Sequence, residues 1–221
     1  MREIQNDRLK EQFITTTHFR EQFGFPVDDQ TKLLFFSARE ALVRANRESP
    51  YLLYLVRGRT KLSHGLANGK TIITGFFDPP CFIGEMELLD PTSPAFDVQA
   101  IQDCWCLALE KAQVADRLLT DATFLRRICV YLTRKDVANI TVAARNEGFT
   151  ATQRLAAFIL QTANAGWYRE QHTQVAQYLG ISYRHLLYVL ADLVQRHILE
   201  KTATGYRICD PAALQRLTQE S

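Results

Sequence analysis

Between Ser182 and Tyr188 the sequence SYRHLLY places a hydroxyl, two phenols, a guanidinium and an imidazole within seven residues. This set can read the edges of bases. Arginine can grip guanine O6 and N7 with two hydrogen bonds, and apolar atoms beside it can meet a thymine methyl. Such chemistry needs a rigid element that holds the reading side chains outward. Leu186, Val189, Leu190 and Leu193 recur at three and four, which predicts the buried face of a helix. Tyr183, Arg184, Leu187, Tyr188 and Gln195 fall on its other face, and Ser182 is placed to accept a backbone N–H as N-cap.

Upstream, Val175 and Leu179 lie four apart on one face of a shorter helix, with Ala176 between them and Gly180 where a tight turn needs a positive φ. Two helices crossing steeply, with Ala176 and Gly180 allowing their backbones to approach and Ile181 entering the core, make a helix-turn-helix. An ordinary αα-hairpin would show the same leucines. The segment that follows favours the first reading: Ile198-Leu199 and Tyr206-Arg207-Ile208 flank the polar turn Lys201–Gly205, a small hairpin suited to lie along a phosphate backbone as a wing.

Bulk charge does not argue for a nucleic-acid partner. The net charge of the 221 residues is +2, and from Asn146 onward seven Lys and Arg face six Asp and Glu, leaving 19 against 18 before it. An electrostatic footprint therefore depends on the placement of Arg184, Arg196, Lys201 and Arg207. The length suggests two domains, and 47% hydrophobic with 23% charged residues is ordinary for a soluble globular chain. Apolar runs such as Leu33–Phe36 are too short to span a bilayer and MREIQNDRLK lacks an apolar signal core, so a cytoplasmic location without membrane attachment is expected.

Five cysteines, Cys81, Cys104, Cys106, Cys129 and Cys209, form no pairs with zinc-ligand spacing, and their odd number and scatter suit reduced, largely buried thiols. Cys104 and Cys106 would sit on one face of a strand about 6.6 Å apart, near the upper limit for an unstrained disulfide. His18 and His64 are isolated, so no metal site is expected. No nucleophile, base and orienting group can be named together, which argues against an enzyme.

In chain order, residues 1–39 read as helical, with Phe13, Phe19, Phe23 and Phe25 as apolar points and Pro26 as a break. Short strands follow: Tyr51–Val56, Arg59–His64, a hairpin at Asn68-Gly69 joining 62–66 to Thr71–Phe77, a stop at Pro79-Pro80, and a strand from Phe96 to Leu109. Repeated short strands with glycine and proline turns predict a compact antiparallel barrel or jelly roll. Phe124, Leu125, Ile128, Tyr131, Leu132, Val137, Ile140 and Thr141 then predict a long helix starting near Asp121, whose apolar stripe has no partner helix and is expected to pair with a second copy through Phe124, Ile128, Tyr131 and Leu132. Residues 145–149 read as a hinge, and a helix from about Thr152 opens the last domain.

The order of barrel, long helix, hinge and winged helix resembles the Crp/Fnr superfamily of bacterial transcription regulators over nearly the whole chain. The carriers are Tyr54–Gly58, Cys81–Met86, Arg154–Leu160 and Gln174–His185; CWCLAL at 104–109 and SYRHLLYVL at 182–190 look most like the YeiL-like branch. The resemblance implies an α+β fold: a β-roll of the cyclic-nucleotide-binding type (a double-stranded jelly roll) over residues 1–115 with the N-terminal helices, a dimerisation helix over 116–145, and a winged helix-turn-helix over 146–221. It further implies a homodimer on double-stranded DNA, reading a two-fold operator through helices roughly 34 Å apart, with RNA polymerase as a candidate partner. Matched onto this chain, Tyr183, Arg184 and Tyr188 are base-reading positions, and Ser182, His185, Thr173 and Lys201 lie toward the phosphates.

The effector chemistry is where the chain departs from that pattern. Cyclic-nucleotide-binding members follow their Gly-Glu pair, about ten residues on, with an arginine and a small hydroxyl residue. Here Gly84 and Glu85 remain, but the later stretch reads Pro94-Ala95-Phe96-Asp97. A buried phosphate without its cation would be uncompensated, and Asp97 would worsen it. The expectation is a regulator without cyclic AMP or an iron–sulfur cluster, Gly84, Glu85 and Phe96 lining whatever pocket remains and Glu85 accepting backbone hydrogen bonds at its turn. The alternative is a cyclic-nucleotide or redox-responsive module whose β-roll binds a small effector.

Overall fold

The computed structural model describes the chain apart from residues 46, 66–68, 70, 220 and 221, and apart from the side chains of 138, 139 and 141–147. In chain order the elements are β1 (Arg2–Glu3), α1 (Asp7–Thr16), β2 (Thr31–Phe36), β3 (Ala41–Val43), β4 (Tyr51–Arg57), β5 (Thr60–Gly65), β6 (Thr71–Phe77), β7 (Cys81–Ile83), α2 (Glu85–Leu89), β8 (Asp97–Ala100), β9 (Cys104–Glu110), α3 (Lys111–Leu118) and α4 (Ala122–Gly148). They continue with α5 (Ala151–Thr162), β10 (Trp167–Tyr168), α6 (His172–Tyr178), α7 (Tyr183–Gln195), β11 (Leu199–Thr202), β12 (Gly205–Ile208) and α8 (Pro211–Leu217). The chain divides into two compact units, one of Met1–Gly65 with Thr74–Val137, the other of Leu66–Ile73 with Ala138–Ser221.

The first unit holds a five-stranded sheet in the order β1-β2-β9-β4-β7 and a four-stranded sheet in the order β3-β8-β5-β6. Its central strands are apolar on both faces, so their sequence reads as an unbroken run. Leu53, Leu55, Cys104, Cys106 and Ala108 join one core with Phe77 and Val98. Their neighbours Leu52, Tyr54, Val56, Leu107 and Leu109 point the other way, as period two requires, into a second core with Ile14, Phe19, Phe23, Phe124 and Ile128.

That second core explains two departures from the sequence reading. Within residues 1–39 only α1 is an α-helix; residues 31–36 form β2, which pairs with β9 from Thr31↔Leu109 to Phe36↔Cys104. An apolar run that a sheet can bury on both sides gains more as a strand. Phe124 and Ile128, expected to line a dimer seam, are 0% and 1% exposed against their own β-roll. Tyr131 donates to the Phe82 carbonyl at 2.9 Å, and Leu132 is half-buried. The outer face of the five-stranded sheet needs a cover, and this stripe of α4 provides it.

Other expectations shift by smaller amounts. The single strand anticipated over 96–109 is two, β8 and β9, in different sheets. β5 and β6 are neighbours; Asn68 lies outside the described residues, and Gly69 has φ +78°. Asp121 starts α4 by accepting from the Thr123 and Phe124 amides, and its Oδ2 also accepts from Gly24 N–H at 2.7 Å. α4 continues through Gly148, so the expected hinge at 145–149 shrinks to Phe149 and Thr150 before α5. Thr150 and Gln153 close a reciprocal capping box there.

Candidate nucleic-acid interface

In the second unit α5 packs against α7 and α8, and β11 and β12 pair antiparallel from Leu199↔Ile208 to Thr202↔Gly205 with β10 on the outer edge of β12. The turn between α6 and α7 is fixed by backbone chemistry. Ile181 N–H donates to Ala176 O at 2.9 Å and Gly180 N–H to Gln177 O at 3.1 Å, the paired bonds of a Schellman ending, with Gly180 at φ +62°. A side chain at Gly180 would meet only Arg154 Nη1, at 3.8 Å. Gly180 is therefore required for its dihedral and not, as the spacing suggested, for close helix approach. The Arg154 guanidinium donates to the Leu179 carbonyl and ties this turn to α5.

Ser182 then caps α7 by accepting from His185 N–H at 3.1 Å. Leu186, Val189, Leu190 and Leu193 are buried, which holds the opposite face outward. Tyr188 is 74% and Tyr183 49% exposed, and Arg184, His185, Thr173 and Lys201 are exposed with them. Two apolar phenol rings in water on the first two turns of a helix is an arrangement that folding alone does not favour. Ile181, expected in the core, is half-buried.

The cationic footprint is smaller than four residues. Arg207 pairs with Glu200 at 2.7 Å and Arg196 with Asp192 at 3.4 Å, leaving Arg184 and Lys201 without ion pairs among the described residues. His172 at the start of α6 is half-buried, and burial and then Lys201 hold its imidazole below the usual histidine range.

In the first unit Gly84, Glu85 and Phe96 do line one pocket, as expected, but its volume is about 30 Å³. Ligand pockets ordinarily enclose roughly 300–1,000 Å³. Glu85 is 2% exposed and accepts from Lys135 Nζ of α4 at 3.0 Å, which corrects the expectation that backbone amides would satisfy it. The same ammonium stands 4.8 Å from the Phe77 ring centroid. Lys135 was missed although the signal was present: 124, 128, 131 and 135 continue one stripe at four, three and four.

Cys104 and Cys106 are fully buried; burial pushes the Cys104 thiol up to about 11 and Cys106 well above its ordinary value. Cys81 is buried and raised likewise, whereas Cys129 and Cys209 are exposed. Thiolate chemistry is suppressed at the three buried sites. No described helix is long and apolar enough to cross a membrane.

Comparison with known proteins agrees with both halves of this description. A cyclic nucleotide-binding domain matches residues 33–121 and a Crp-like helix-turn-helix domain residues 153–217. The chain is 44% identical to Regulatory protein YeiL of Escherichia coli O157:H7 over 202 residues, 91% of this chain and 92% of the relative. A crp/fnr-family putative transcriptional regulator from Eubacterium rectale superposes with a TM-score of 0.70 at 12% identity, covering 88% of this chain and 92% of that one. A CRP-family transcriptional regulator from Thermus thermophilus gives 0.64 at 20% identity, covering 85% and 97%. These two likenesses are of fold. The chain belongs to the Crp/Fnr family of transcription regulators, with a β-roll of the cyclic-nucleotide-binding type and a DNA-binding winged helix-turn-helix, and it is not an enzyme.

Proposed function

We propose that the protein acts in the cytoplasm as a homodimer that reads a two-fold symmetric operator through α7, and that cyclic AMP does not gate it. The observation that carries the reading is the outward face of α7, where Tyr183, Arg184 and Tyr188 are held exposed by four buried partners on the reverse. Arg184 grips a guanine edge, the tyrosines supply apolar and hydrogen-bonding contact, and Ser182, His185, Thr173 and Lys201 approach the backbone.

Pairing of α4 is supported not by the four seam residues named from the sequence but by Val137 and Ile140 of the same predicted stripe, together with Val130. Val130, Val137 and Ile140 are 43%, 57% and 61% exposed, at the seven-and-three spacing of a coiled-coil seam. The absence of cyclic-nucleotide gating is supported by the small pocket, by Lys135 satisfying Glu85, and by Pro94–Asp97, which offers no arginine for a phosphate. The dispersed cysteines, three of them buried thiols, favour a protein without an iron–sulfur cluster.

Selection of bound duplexes from a random pool tests the reading. It should return a palindrome with half-sites about 10–10.5 base pairs apart, with recovery unchanged by cyclic AMP. A single unpaired half-site, or no enrichment, would reject it.

A further inference from the structure

The small pocket beside Glu85 is not the sole concavity of the β-roll unit. An open groove of about 970 Å³ runs between the segment after α1, the start of β7 and the first half of α4. Arg126, Arg127 and Arg134 of α4 line it, all exposed, and among the described residues none of them has an ion-pair or hydrogen-bond partner. Glu21 is the sole carboxylate among the described lining residues, and His18 Nδ1 already engages it at 2.8 Å. Tyr54 and Phe82 give the lining an apolar part.

We propose that this groove is the effector site of the protein and that it takes a small polyanion carrying carboxylate or phosphate groups. Guanidinium groups present paired N–H donors that match both anions in a fork. A concave wall with apolar lining raises the value of each such contact over that of a flat surface. Unneutralised, the three arginines make one side of α4 strongly cationic. Val130, exposed on the same helix, lines the groove too. The groove thus adjoins the proposed pairing stripe, where the arginines of two copies would repel and a bound polyanion would relieve the repulsion. That coupling rests on the dimer reading above; the binding itself does not.

The test uses the full chain without DNA, titrated calorimetrically with citrate, with pyrophosphate, and with sodium chloride at matched ionic strength. The expected result is a saturable isotherm of one site per chain for at least one of the two probes. Citrate alone would identify the polycarboxylate source, pyrophosphate alone the phosphate source. Affinity should fall tenfold or more in Arg127→Gln/Arg134→Gln and stay unchanged in Arg47→Gln, which lies outside the groove. Should the double variant not fold, the single variant Arg126→Gln should still bind about threefold more weakly. Heats no larger than those of chloride for both probes, as when a second copy fills the groove, would overturn the proposal, as would equal affinity in the arginine variants. Failure here leaves operator selection unaffected, so the two readings fail separately.

Discussion

Lys135 Nζ donates to Glu85 Oε1 at 3.0 Å, and the contact joins α4 to the first residue of α2 through a carboxylate only 2% exposed. A buried charge stripped of its partner is costly, whereas a neutral pair of similar shape is not. Lys135→Met should therefore destabilise the β-roll unit by about 3 kcal/mol, read as a lower urea midpoint. Adding Glu85→Gln should restore most of the loss. Equal midpoints for wild type and Lys135→Met would mean the ion pair contributes nothing.

His172 gives the winged-helix unit a pH dependence. Its imidazole is held below the ordinary value, first by burial and then by Lys201, so around pH 6 the unfolded chain binds more protons than the folded one. Stability should then rise with pH through the window just below about 6.5 and be lost as pH falls below it. Thermal melts between pH 5 and 8 should show this slope, flattened in His172→Gln. A variant with the wild-type slope would assign the titration to another group.

Gly205 opens β12 at φ +143°, and a Cβ there would stand 2.5 Å from the Tyr168 carbonyl oxygen. That obstacle is backbone, which cannot step aside as a side-chain tip does. Gly205→Ala should cost about 2–3 kcal/mol and lower the unfolding temperature of the winged-helix unit. It should leave the transition of the β-roll unit where it was. An unshifted wing transition would show that β10 and β12 separate easily.

The winged helix was legible because its signals are local. Gly180, Ser182 and the leucines of α7 each satisfy a rule spanning one or two turns, and the structure places them where those rules do. The β-roll was legible in kind but less in detail, because pairing such as Thr31↔Leu109 joins residues far apart in sequence and leaves no periodic mark. The stripe of α4 misled for a related reason. Phe124 and Ile128 announce an apolar face without saying whether the same chain or another will cover it. Exposure separates the cases: those two are buried, and Val130 and Val137 are not. Lys135 continues the buried stripe by spacing, but its residue type points to solvent until its buried partner Glu85 is known.

The central claim is that the exposed turn from Tyr183 to Tyr188 reads base pairs. Its most direct test is the affinity of Arg184→Ala for the selected operator and for single-base variants of it, at one salt concentration. The account predicts a loss of about 1–3 kcal/mol, roughly five- to 150-fold, together with relaxed preference at one base pair in each half-site. Full affinity with unchanged sequence preference would contradict it.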